Sequence, residues 1–185
     1  MFYRAETRDE SDTPYLGTSR IGLAISDDGY HFKKTSKQPI IDADNEWETP
    51  GGCEDPCIVK VKGVYHLVYT AYAPGKTDTT ICHAVSTDLL NWTKEGPLLD
   101  NFGHQHKNSK SSAIVTNPQG DAVKVNGKYV MYFNGGMATS SDFEHWETFD
   151  VDASAYTSSN AHEVCVAVTG CFCLSPRKGI LVYWW

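Results

Sequence analysis

No stretch of this chain approaches the run of roughly 20 apolar residues that a membrane-spanning helix needs. Met1-Phe2-Tyr3-Arg4 leads directly into charged residues, so no apolar signal segment opens the sequence. As written, the chain is expected in the cytoplasm. Basic residues are in deficit: 16 Lys and Arg stand against 23 Asp and Glu, a net charge of −7. That balance argues against nucleic acid and anionic membranes as partners, because both select basic surfaces. Sustained apolar spacing at i, i+3 and i+4 is missing too, so few helices are expected. Metal-type spacing is absent as well. The six cysteines (53, 57, 82, 165, 171 and 173) stand as C-x3-C and C-x-C, without a second pair at zinc-site distance. Several fall in apolar runs, where a reduced, buried cysteine acts as a small hydrophobe. His104 and His106 form an H-x-H with no third ligand in view, so neither metal nor cofactor is expected.

What the sequence does contain is a repeat. The pattern S-x-D-x-x-x-(W/F) occurs three times, as SDDGYHF (26–32), STDLLNW (86–92) and SSDFEHW (140–146). Its aromatic positions lie 60 and 54 residues apart. A short strand-like run precedes each copy, and a longer aromatic-rich run precedes that. CIVKVKG and DAVKVNG add a further strand before the second and third copies, each closing on a hairpin turn. Four antiparallel strands per unit describe a β-propeller blade, so the expected class is all-β. The expected units are residues 1–50 (lacking a first strand), 51–118, 119–160 and a partial 161–185. That makes about three and a half blades, where closure needs at least four. The reading that follows is a fragment, or blades completed by a second copy, with open edges prone to self-association.

One stretch raises a chemical question. GGCEDPCIV (51–59) sets Glu54 and Asp55 between a glycine pair and a proline, at the start of a strand. Either the turn is acidic because turns are polar, or a carboxyl group is being held rigidly. FYRAE (2–6), SRIGLAISDDGYHF (19–32), GGCEDP (51–56), YTAY (69–72), STDLLNWTKEGP (86–97), KSSAI (110–114) and NGKYVMYF (126–133) together resemble family 130 of the glycoside hydrolases. That resemblance covers most of residues 1–150. It implies a five-bladed propeller that cleaves β-mannosides with phosphate or water, taking an oligosaccharide as its partner.

The resemblance also implies roles. Asp55 maps onto the family's proton donor, and glycosidic cleavage does need a carboxylic acid that holds a proton beside the leaving oxygen. Tyr3, Arg4, Ser19, Arg20, Glu54, Tyr72 and Lys110 fall at sugar-binding positions. An arginine bonds hydroxyls there while a tyrosine ring packs on a sugar face. Glu163, at the start of the fourth unit's first strand, is the candidate base for water in an inverting mechanism. The sequence departs from the family at Cys57, where an arginine is usual. Gly120 and the Phe133-Asn134 segment likewise stand where phosphate-holding cations are expected. Hydrolysis is therefore the expected reaction, with a phosphorylase or a non-catalytic glycan-binding fragment as alternatives.

Overall fold

A computed structural model describes residues 1–6, 17–76, 78–99, 109–134 and 136–149, together with the backbone of 172–175 and 179–181. Among these residues there are fourteen strands and no helix. The first seven are β1 (Phe2–Glu6), β2 (Ser19–Ile25), β3 (Lys33–Lys34), β4 (Gly52–Val61), β5 (Val64–Ala73), β6 (Asp78–Ser86) and β7 (Thr93–Pro97). They form one sheet in the order β1-β2-β4-β5-β6-β7, with β3 on β2. A single parallel pairing, Ser19 with Gly52, joins β2 to β4. The antiparallel meander β4–β7 is thus nearly a unit of its own.

The second sheet contains β8 (Lys110–Thr116), β9 (Lys124–Val125), β10 (Lys128–Asn134), β11 (Gly136–Ser140), β12 (Glu147–Phe149), β13 (Phe172–Ser175) and β14 (Gly179–Leu181). Its order is β12-β11-β10-β8-β13-β14, with β9 on β10. Among the described residues, neither sheet closes on itself. β8, which precedes residue 119, pairs antiparallel with β10 through Met131 and Ile114. Asp121 and Ala122, expected to open the unit as a strand, make only isolated bridges to Lys60 and Thr116. The run SKSSA looks like loop by its hydroxyls, yet six of the seven β8 residues are buried. Ser111 Oγ, and Ser109 Oγ just before the strand, find partners there in Asp55 and the Ile81 N–H, whereas buried Ser112 Oγ has none among the described residues.

The core explains which strands are apolar on both faces. Leu67, Val68, Tyr69, Thr70 and Ala71 of β5 are all fully buried. Successive side chains of a strand point to opposite faces, and both faces of β5 are covered. Leu67, Tyr69 and Ala71 pack with Ile21, Ile41 and Cys82. Val68 packs instead with Ile114, Met131 and Phe143, across the seam between the two sheets. Cys53, Cys57 and Cys82 are buried in these apolar clusters, as expected of small hydrophobes.

The repeated turns are equivalent bond for bond. Asp28, Asp88 and Asp142 each accept two backbone N–H groups on Oδ1, at 2.8–2.9 Å. Ser26, Ser86 and Ser140 each accept the N–H three residues on, from Gly29, Leu89 and Phe143. All three of those acquire positive φ, at 77°, 67° and 79°. The indoles of Trp92 and Trp146 then donate back to the carbonyls of Leu89 and Phe143.

Candidate active site

Two glycines open the site for different reasons. A Cβ on Gly51 would stand 2.2 Å from the ring of Tyr72, so glycine lets that tyrosine lie flat against the chain. Gly52 has φ +117° and passes 2.2 Å, at a notional Cβ, from the backbone of Ser19. No other residue fits both that conformation and that approach. This close passage is where β2 and β4 meet.

Immediately beyond, β4 carries a bulge. Glu54 pairs with Thr70 and Cys57 with Val68, so Asp55 and Pro56 together oppose one residue of β5. Bulges re-aim side chains. Asp55 sits in the left-handed region at φ 48°, an uncommon conformation for a non-glycine residue that functional sites often hold. Its Oδ2 accepts hydrogen bonds from Ser111 Oγ at 2.7 Å and Thr70 Oγ1 at 3.3 Å. Thr70 Oγ1 in turn accepts the Ser111 N–H at 3.0 Å. Oδ1 of Asp55 has no hydrogen-bond partner among the described residues.

Glu54, one residue before the acid, joins Arg4, Glu6, Ser19, Tyr72 and Lys110, with Gly17 and Gly51, in lining a cavity of about 290 Å³. Arg4 is gripped by two carboxylates: Nε donates to Glu6 at 3.1 Å, and Nη1 lies 3.3 Å from Glu54. Burial alone would lower the Arg4 pKa. The hydrogen bond to Glu6 and the charges of Glu54, Glu6 and Asp55 outweigh it, and the net shift is upward. Ser19 Oγ reaches both Glu6 and Glu54, at 3.3 and 3.4 Å. The lining is therefore formally balanced, with two cations against two carboxylates, before Asp55 is added. Such a surface of charged groups and one aromatic face suits a neutral polyol.

A family model described as β-1,4-mannooligosaccharide phosphorylase, that of glycoside hydrolase family 130, matches residues 1–171. The chain belongs to this family. A 1,2-β-oligomannan phosphorylase from Thermoanaerobacter sp. (strain X514) is 35% identical over 133 residues, or 69% of this chain and 40% of its own. Among solved structures, a glycosyl hydrolase from Bacteroides ovatus is 40% identical with a TM-score of 0.67, over 80% of this chain and 44% of that one. Another, at 36% identity and a TM-score of 0.68 over 82% and 45%, is described by the statement that "the GH130 family of mannoside phosphorylases contains glycoside hydrolases that target beta-1,2 mannosidic linkages in Candida mannan". The chain spans about two-fifths of the length of the curated relative.

Within this family-130 chain, Arg4, Ser19, Glu54, Tyr72 and Lys110 of the expected set come together around the cavity. Asp55 is not itself a lining residue; it follows Glu54 on the bulge, where strict alternation fails, and its Oδ2 accepts from Ser111, which follows Lys110 in the chain. Tyr3 and Arg20 do not join. Each neighbours a lining residue on a strand whose pairing is regular, and so faces the other way. The Tyr3 ring lies over Gly22. Arg20 Nε donates to Asp42 at 2.5 Å and Nη1 to the Thr18 carbonyl at 3.2 Å. Glu163, His104 and His106 lie outside the described residues. Glu6, Thr70 and Ser111 belong to the site without having been singled out from sequence. Glu6 could have been found, since two positions along a strand from Arg4 is the same face.

A second cavity, of about 510 Å³, opens beside Trp92 and Lys94. Its charges are committed to structure. Lys94 Nζ donates to Asp44 at 2.6 Å, to Glu48 at 2.7 Å and to the Asp42 carbonyl. Glu48, fully buried, also accepts from Tyr69 at 2.7 Å.

Proposed function

We propose that this chain supplies part of the active site of a β-mannoside-cleaving enzyme built as a five-bladed β-propeller, with Asp55 as general acid and inorganic phosphate as acceptor. The observation that carries the reading is the seat of Asp55: a carboxyl group on a bulge, held by two hydroxyls on one oxygen, directly following Glu54 of a polar cavity. The named activity of the 35% identical relative supports phosphorolysis and a β-1,2 linkage. Phosphorolysis needs no base, because phosphate is itself the nucleophile. The positions that argued against phosphate lose weight. Cys57 is buried in the seam core, and the Gly120 carbonyl accepts from Lys60, at the far end of β4 from Asp55. Only Asn134, paired with Lys110, stands at the acid's end.

Hydrolysis is the second reading, and the charge balance of the cavity favours it. Phosphate is held by charge-assisted bonds from cations with charge to spare, whereas Arg4 already serves Glu6 and Glu54. In that reading Glu163 activates water. Incubating the full-length protein with β-1,2-mannobiose, with and without phosphate, separates the two. Mannose 1-phosphate formed only with phosphate supports the first, and mannose released at the same rate in its absence supports the second. Tight glycan binding with no turnover under either condition would overturn both and leave a binding module.

A further inference from the structure

Ser111 is contributed by the neighbouring sheet, yet it makes the shortest hydrogen bond to Asp55. It lies 56 residues away along the chain. Its own backbone sits at φ 55°, in the same left-handed region as Asp55 at 48°. Ser111 is also buried, at 4% exposure, with its N–H bound to Thr70. Two adjacent strands thus each hold a non-glycine residue in a costly conformation, and the two side chains meet at 2.7 Å. Simple core packing would not require a hydroxyl at that point.

Resting on the reading of Asp55 as general acid, we infer that Ser111 is its positioning residue. Both hydroxyls donate to Oδ2, so Oδ2 takes the carbonyl role in the neutral acid and the proton resides on Oδ1. During cleavage Oδ1–H gives its proton to the glycosidic oxygen, directly or across a sugar hydroxyl. The bond from the anomeric carbon to that oxygen breaks with its electron pair going to oxygen, and an oxygen of the acceptor bonds to the anomeric carbon. Asp55 is left as a carboxylate. The hydroxyl bonds strengthen as that charge develops, so their contribution falls on the transition state and reads out in kcat.

The test uses the full-length protein, β-1,2-mannobiose and a 2,4-dinitrophenyl β-mannoside, whose leaving group departs without a proton. Ser111→Gly removes the hydroxyl while glycine accepts φ 55° freely, so the backbone conformation at this position is not the cause of a loss of rate. Thermal melting checks that the variant is fully folded at the assay temperature. On mannobiose, kcat should fall about 10- to 100-fold, the worth of a hydrogen bond to a charged group, with KM changed less than about twofold. On the dinitrophenyl substrate the loss should shrink to about threefold or less. In an Asp55→Asn background Ser111→Gly should cost nothing more. Equal losses on both substrates, or full additivity with Asp55→Asn, would overturn the role of Ser111. So would an unimpaired Ser111→Gly enzyme alongside a crippled Asp55→Asn. If Asp55→Asn itself kept the parental rate, or no β-mannoside were cleaved, the active-site reading would fall with it.

Discussion

Asp55 keeps a left-handed backbone at φ 48° although it is not glycine, and its carboxyl is bonded on one oxygen only. Replacing it with asparagine preserves shape and removes the acid. Asp55→Asn should slow cleavage of mannobiose about 10²- to 10⁴-fold, the range for a lost general acid, with glycan affinity measured by calorimetry nearly unchanged. A fall in affinity matching the fall in rate would make Asp55 a binding residue instead. At this scale the sequence was half legible. The adjacent Glu54 and Asp55 and their glycine pair announced a held carboxyl group. What the glycines avoid, the Tyr72 ring and the Ser19 backbone, could not be read locally. Nor could Thr70 and Ser111, because the bond between them spans 41 residues. Arg20 misled because adjacency on a strand means opposite faces, and a salt bridge to Asp42 claims it.

The turns with the pattern S-x-D are the elements that sequence predicted best, since their shared backbone N–H bonds are accepted by the Ser and Asp that define the motif. Their acids carry a pH signature. Asp28 is held well below the usual carboxylate range chiefly by His31, Asp88 by the Asn91 backbone and side chain, and Asp142 by the backbone N–H groups of His145 and Glu144. A depressed folded value means stability that is present above the unfolded carboxylate pKa, about 3.9, and lost as pH falls through the lower folded value. The melting temperature should therefore drop between roughly pH 4 and the acid limit. In Asp28→Asn/Asp88→Asn/Asp142→Asn it should start lower and decline less steeply over the same window. A parallel decline would show that other carboxylates govern the acid limb. β8 was the element least legible, because the three serines of SKSS conceal a buried strand: Ser109, just before it, accepts from the Ile81 N–H, and Ser111 within it donates to Asp55.

For the molecule as a whole, the seam between the sheets is the main store of cohesion. Val68 of the first sheet meets Ile114 and Met131 of the second, and the latter two are fully exposed to no solvent at all. Met131→Ala should cost about 2–5 kcal/mol in urea unfolding, by lost burial and the cavity left behind. A cost below about 1 kcal/mol would mean the seam collapses to fill the gap. The all-β class and the repeat were readable from periodicity. The route of the chain between units was not, because it depends on which strand reaches β10 first. Lys94 draws a last consequence from how the first units are joined. All three N–H bonds of its ammonium group are engaged by Asp42, Asp44 and Glu48. Burial works against its charge, but the bonds to Asp44 and Glu48 prevail and raise its pKa. An amine-specific reagent needs a free, deprotonated nitrogen, so Lys94 should label more slowly than exposed Lys62 or Lys128 in native protein. Mass spectrometry would then make this one lysine a clock for the opening of the first two units, ticking only when Asp42–Glu48 lets go of β7.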